Sequence, residues 1–396
     1  MKRILSLCYR RGFLIKRDTA VEGTRDFDYG PSGTALKRNL VDEWWRSVVT
    51  STGNVYPLDS SIISDSRLQE NDNFLLSRRE KTSEQHLLRS TVCSMRLVEK
   101  CIEIFGQSLP FGVAECGRAF GATLKPSEYP LRHEEGEHMG VVFLCQPTED
   151  QQWYYHWQKA RLRWWKKLAA NPENFSLVET PTSELPGHTL KESFIKYKFP
   201  WGPAVVEQIS NTGDSQFQRM DDETRARFKI AKGLDGRTYP HRLSLSASVD
   251  KGLFAYICDA YSETWRPYGP DHELKQCVVL RLHSCLSPRI VAVLPATDDT
   301  RVSTYCRMLT EELRTVGIVS SLSRVGAFPY RLALEDEMGT PYRIIVDEKT
   351  LEAGILALQD RDTAAMEDMA GRDVLQSLQR MLSAARLSIH SPTFSR

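Results

Sequence analysis

The sequence has no CxxC pair and no Cys/His group at zinc-ligand spacing, and its nine cysteines are odd in number and scattered. This excludes the usual structural zinc site and reads as free thiols in a reducing compartment. No apolar run approaches the roughly 20 residues of a bilayer-spanning helix, so a helical membrane span is excluded. Excess charge is missing too: 52 Lys plus Arg face 51 Asp plus Glu, so any nucleic-acid binding must come from local patches. There is no internal repeat and no low-complexity tract. What is present is globular, 41% hydrophobic and 26% charged over 396 residues, enough chain for two or three cores.

The opening MKRILSLCYRRGFLIKR is basic, with no acid before Asp18. Mitochondrial transit peptides have this pattern, and so does a solvated basic first helix, which is the preferred reading. DYGPSGTALKRNLVDEWWRSVV predicts a turn and then a helix: Gly30, Pro31 and Gly33 punctuate, and Leu36, Leu40, Trp44 and Val48 fall four apart. From about 60 to 108 the chain turns polar and then helical, with EQHLLRSTVCSMRLVEKCIEIF as its best helix; we expect a helical insertion. ECGRAFGATLKP, residues 115–126, has the shape of a strand running into a phosphate loop, with almost no charge where a phosphate needs it.

GVVFLCQP predicts a strand, and WYYHWQKARLRWWKKLAANPENF a helix. Trp153, Trp157, Ala160, Trp164 and Leu168 make one stripe of it, while Lys159, Arg161, Arg163, Lys166 and Lys167 add five positive charges. Cations interleaved with aromatics suit nucleic acid. An amphipathic helix with core tryptophans and solvated cations fits the same pattern. After the Pro- and Gly-rich YSETWRPYGPDHELKQ, strands and helices alternate: RIVAVLP, TRVSTYCRMLTEELRTVG, PYRLALEDEMG, PYRIIVD, ILALQDRD and a last helix. We expect a separate α/β domain over 276–396, after a first domain over 1–275.

Eight strings in order, RRGFL, DYGPSGTALKRNLVDEWW, LPFGVAECGRAF, FPWG, LFAYICDAY, LHSCLSP, EDEMGTPYRIIVDEKTLEAG and QDRDT, resemble the glycyl-tRNA synthetase family. They cover most of the chain outside 60–108. The resemblance implies an α/β (α+β) fold: a class II aminoacyl-tRNA synthetase-like antiparallel sheet domain followed by an anticodon-binding-type mixed-sheet domain.

Departures from the family pattern cluster at the ATP site. Where the family has an Arg for the α-phosphate and a Glu for adenine, this chain has Gly121 and Thr123; Arg118 matches another position, and Phe120 replaces its acidic companion. On the return limb Glu134 replaces a cation and Gly136 the ring that stacks on adenine. In the third class II motif the matching residues are Ser244, Ser248 and Lys251, with Asp250 retained. In the glycine-recognition segment Val205 and Thr212 replace charged residues, while Glu207 and Asp214 remain. A charge-assisted hydrogen bond to phosphate contributes about 1.5–3 kcal/mol, and one lost stabiliser of developing charge typically costs about 100- to 1000-fold in rate. Two or three such losses would abolish amino-acid activation.

A synthetase scaffold with an emptied ATP site also resembles the accessory subunits of mitochondrial DNA polymerase, which have no catalysis of their own and need no cofactor. That resemblance implies a processivity factor of the mitochondrial matrix nucleoid that binds the catalytic subunit and double-stranded DNA, as a homodimer or a monomer. The DNA-binding expectation rests on Lys159, Arg161, Arg163, Lys166 and Lys167, with Arg266 and Lys275 in the interdomain loop. Gly354, read as a tight turn between two strands, is the partner-binding expectation. An active glycyl-tRNA synthetase, or a binding protein of another complex, stays open.

Overall fold

Alternation in HRLSLSAS decides the first layer. Leu243, Leu245 and Ala247 are buried, so Ser244, Ser246 and Ser248 must occupy the opposite face of the strand. The computed structural model describes residues 1–17, 27–65, 75–78, 85–89, 92–93, 95–105, 109–120, 135–218, 225–226, 228–231, 237–268 and 273–390. His241–Ser248 is the centre of a seven-stranded sheet ordered Val55–Pro57, Phe111–Phe120, Glu135–Cys145, His241–Ser248, Gly202–Gly213, Lys191–Phe199 and Phe175–Glu179. Only the first pair is parallel. The apolar face packs on three helices, Pro31–Trp45, Asp150–Lys167 and Val249–Ala260, through Leu36, Leu40, Trp157, Trp164, Trp165 and Leu253. The basic start is a helix, Lys2–Arg10, anchored by buried Ile4, Leu7 and Cys8.

The expected helical insertion is corrected. Gln85–Leu88 is a strand, the centre of a small antiparallel sheet with Ile63–Asp65 and Leu75–Arg78, and helix begins only at Met95, running to Phe105. Ladder bonds to two neighbours outweigh the helical pattern of a short segment.

The C-terminal unit is a five-stranded mixed sheet ordered Ser320–Leu322, Val291–Pro295, Tyr342–Val346, Ile355–Asp360 and Met366–Ala370. The first two pairings are parallel and the last two antiparallel. Helices Thr300–Thr315 and Gly371–His390 supply Val302, Cys306, Leu313, Val374 and Leu378 to its core. Between the units lies the hairpin Tyr261–Tyr268 and Glu273–Leu280. The expected boundary at 276 falls inside its second strand; Leu280, Leu282 and Leu286 belong to the first core, and Val291 to the second.

Charged side chains fasten the units. Arg10 and Arg11 meet Glu337 at 2.9 and 2.5 Å, and Arg361 donates to the carbonyl oxygens of Leu282 and Gly339 at 2.9 and 2.8 Å. The terminal helix spans both cores, since Ile389 near its end is buried in the first.

Candidate functional site

Cross-strand register builds the second face of the large sheet, which Val98, Cys101, Ile102, Phe217 and Phe228 cover in part. Ser244 lies between Val142 and Ser210, Ser246 between Gly140 and Gln208, and Ser248 beside His138. Glu115, opposite Gly140, is fully buried and bonds Arg89, the Ser60 hydroxyl and the Cys93 N–H. Where the strand meets its helix, Ser248 caps the Lys251 N–H and brings Asp250 into the fold with 1% exposure.

Asp250 accepts a hydrogen bond from the Tyr29 hydroxyl and a long one, 3.4 Å, from the Glu137 N–H. The Lys37 ammonium is 2.6 Å from the Glu137 carboxylate and lies over the Tyr29 ring. The Asp250 and Glu137 carboxylates are thus bonded to a phenol and an ammonium. Burial, then the Glu137 charge, pushes the Cys116 thiol beside this group up to about 12, so it is no nucleophile at neutral pH. A Cβ at Gly136 would stand 3.2 Å from His138 Nε2, so a larger residue there requires His138 to give way. Gly121, Thr123 and Glu134 lie outside the described residues.

Glu207 faces the other way. Its carboxylate accepts from Arg161 Nε at 2.8 Å and Trp165 Nε1 at 2.5 Å, in a site where Arg161 is 2% and Glu207 1% exposed. It therefore holds the Asp150–Lys167 helix to the sheet. Asp214, on the loop beyond, accepts from Gln218 Nε2 at 3.0 Å.

This geometry divides the expected DNA-binding set. Lys159, Arg163, Lys166 and Lys167 line one open groove of about 600 Å³ with Leu162, Ala169 and Pro172. Lys167 also donates to the Ile389 carbonyl oxygen at 2.9 Å, and burial, then repulsion from Arg163, lowers its pKa. Arg161 is corrected: it is buried against Glu207 and cannot reach a phosphate. Arg266 is corrected likewise, because it donates to both Asp336 carboxylate oxygens at 2.8 Å and to the Arg361 carbonyl oxygen. Lys275, opposite Arg266 on the hairpin, is exposed. Trp157, Trp164 and Trp165 are core residues and cannot stack on bases; the helix's exposed Tyr155 accepts from Lys191 Nζ at 3.0 Å.

Gly354 is not a turn between two strands. It ends the helix Glu348–Ala353, which intervenes, with φ +68° in the left-handed region; a Cβ there would meet nothing within 4 Å. Its requirement is backbone conformation, not space. Sequence reading missed the Arg161–Glu207–Trp165 group, whose local signal is the spacing of four between Arg161 and Trp165.

Residues 290–381 match the family model described as the anticodon binding domain. Along nearly its whole length the chain is similar to DNA polymerase subunit gamma-2, mitochondrial, of Xenopus laevis, 29% identical across 96% of this chain and 88% of that protein. DNA polymerase subunit gamma-2 of Bos taurus is 28% identical across 97% and 86%. Glycine–tRNA ligase of Nocardia farcinica is 27% identical across 93% and 94%. The chain is thus a synthetase-like α/β protein with an anticodon binding domain, similar over more than nine-tenths of its length to polymerase gamma-2 subunits and to glycine–tRNA ligases.

Proposed function

We propose that this chain is a non-catalytic accessory subunit of the mitochondrial DNA polymerase. It binds the catalytic subunit and duplex DNA in the matrix nucleoid and raises processivity in mitochondrial DNA replication. The observation that carries the reading is similarity over 96% and 97% of the chain to subunits named for a DNA polymerase, in a chain that has Gly121, Thr123, Gly136, Ser244 and Ser248 where the synthetase resemblance expects ATP contacts.

The groove of Lys159, Arg163, Lys166 and Lys167 supports the DNA part of the reading. Each phosphate neutralised adds affinity that falls with salt, and contact through phosphates alone is indifferent to sequence, as a processivity factor requires. Lys275 extends the proposed surface. The C-terminal unit meets the catalytic subunit, with Gly354 exposed on that side, and the assembly contains a homodimer. Similarity to glycine–tRNA ligases supports a second reading, ATP-dependent charging of tRNA. Glycine-dependent exchange of pyrophosphate into ATP separates the two: we expect none, and clear turnover would overturn the proposal.

A further inference from the structure

Met366–Ala370 is the last strand of the C-terminal sheet, and among the described residues no strand pairs with its outer edge. The Asp360 N–H bonds the Ala365 carbonyl and the Gly371 N–H the Gly354 carbonyl, with Leu358 opposite Glu367 and Leu356 opposite Met369. In an antiparallel ladder, bonding pairs alternate, so residues 365, 367, 369 and 371 point their backbone groups inward. The N–H and C=O groups of Met366 and Asp368 and the N–H of Ala370 therefore point outward, and no described group bonds them; the Ala370 C=O opens the Gly371–His390 helix. The sheet's other edge is covered: the Arg314 guanidinium donates to the Ser320 carbonyl oxygen at 3.1 Å.

Charge selects what can pair here. The two strands of this hairpin carry Asp360, Glu367 and Asp368 and no Lys or Arg. Asp360 is occupied in its own turn, accepting from the Asp362 and Thr363 N–H groups. Glu367 and Asp368 are exposed, one on each face of the strand. Of the flanking cations, Arg361 is buried on carbonyl oxygens, and Arg372, exposed, lies 3.8 Å from the Asp373 carboxylate. A second copy of the strand would bring like carboxylates together, and nucleic acid would be repelled. Met366, 63% exposed, and Ile355, 47% exposed, lie on one face of the same hairpin and offer apolar contact at either end of the edge.

We propose that this edge accepts an extended, cationic segment of a partner protein as a sixth strand. Main-chain hydrogen bonds hold it, and Glu367 and Asp368 select for lysine or arginine. The probe is a labelled octapeptide of alternating lysine and valine, titrated with the full chain and followed by fluorescence anisotropy. We expect saturable binding, and none by the alternating glutamate–valine peptide. Asp368→Pro removes an outward N–H and leaves the inner ladder whole. It is expected to weaken binding at least about fivefold, the equivalent of one backbone hydrogen bond, with circular dichroism and Tm unchanged. The double variant Glu367→Lys/Asp368→Lys folds independently of that proline and is expected to transfer preference to the glutamate peptide. Absent binding of the lysine peptide, equal binding of both peptides, or binding that neither variant alters would overturn the proposal. So would a sedimenting dimer that Asp368→Pro dissociates, which would give the edge to a second copy.

Discussion

Arg161 looks, in the chain, like one of five cations on a basic helix, and in the fold it is one of the most buried large side chains. Its partner Glu207 also receives the Trp165 N–H, so removing the guanidinium strands a carboxylate with a single donor. Breaking a buried pair from one side costs about 3–5 kcal/mol. Arg161→Ala is therefore expected to lower the urea midpoint by a corresponding amount, whereas Arg161→Met/Glu207→Leu, which removes both charges, should lose much less. Equal losses in the two variants would show that packing, not the stranded charge, sets the cost. The pair was only partly legible in the sequence. Trp157 and Trp164 were recognisable as core from their spacing, but the buried face also takes Tyr154, Gln158 and Arg161. A buried arginine becomes visible only once the carboxylate opposite it, 46 residues away, is known.

At the scale of elements, the Asp150–Lys167 helix presents four cations on one groove after Arg161 is subtracted. Replacing Lys159, Arg163, Lys166 and Lys167 by Gln is expected to weaken duplex binding and to flatten the slope of log K against log salt by about 0.9 for each phosphate that is no longer neutralised. Arg161→Met should leave that slope unchanged. Gly354 makes a second element-level case. Because its constraint is a positive φ with open space around it, Gly354→Ala should cost about 1 kcal/mol in thermal unfolding, with no further steric loss. Strands of the large sheet were legible from alternation and from their apolar runs. The hairpin partner at Met366–Ala370 and the strand at Gln85–Leu88 were not: the first is polar and exposed, the second is fixed by ladders to Leu75–Arg78 and Ile63–Asp65 that its own helical pattern hides. The Tyr29–Asp250 and Lys37–Glu137 pairs were not legible either, because they depend on how distant segments meet.

The whole molecule is held by a polar joint between the large sheet's unit and the anticodon binding domain. Arg361 bonds both carboxylate oxygens of Asp362 while donating across the joint. Burial pushes the Asp362 carboxyl up, but the Arg361 hydrogen bonds and the attraction of Arg361, Arg281 and Arg266 outweigh it and hold the carboxyl below its ordinary value. A depressed carboxylate stabilises fully above the unfolded value near 3.9 and loses that contribution as pH falls through the folded value. The Tm gap between the wild type and Asp362→Asn should therefore be widest at neutral pH and close below about pH 4; a gap independent of pH would remove Asp362 from the account. The central claim concerns what this assembled molecule does to a polymerase. Its most direct test is the length of product made by the mitochondrial polymerase catalytic subunit on a primed single-stranded template at moderate salt, with and without this chain. The account predicts longer products per binding event when the chain is present, and unchanged product length would contradict it.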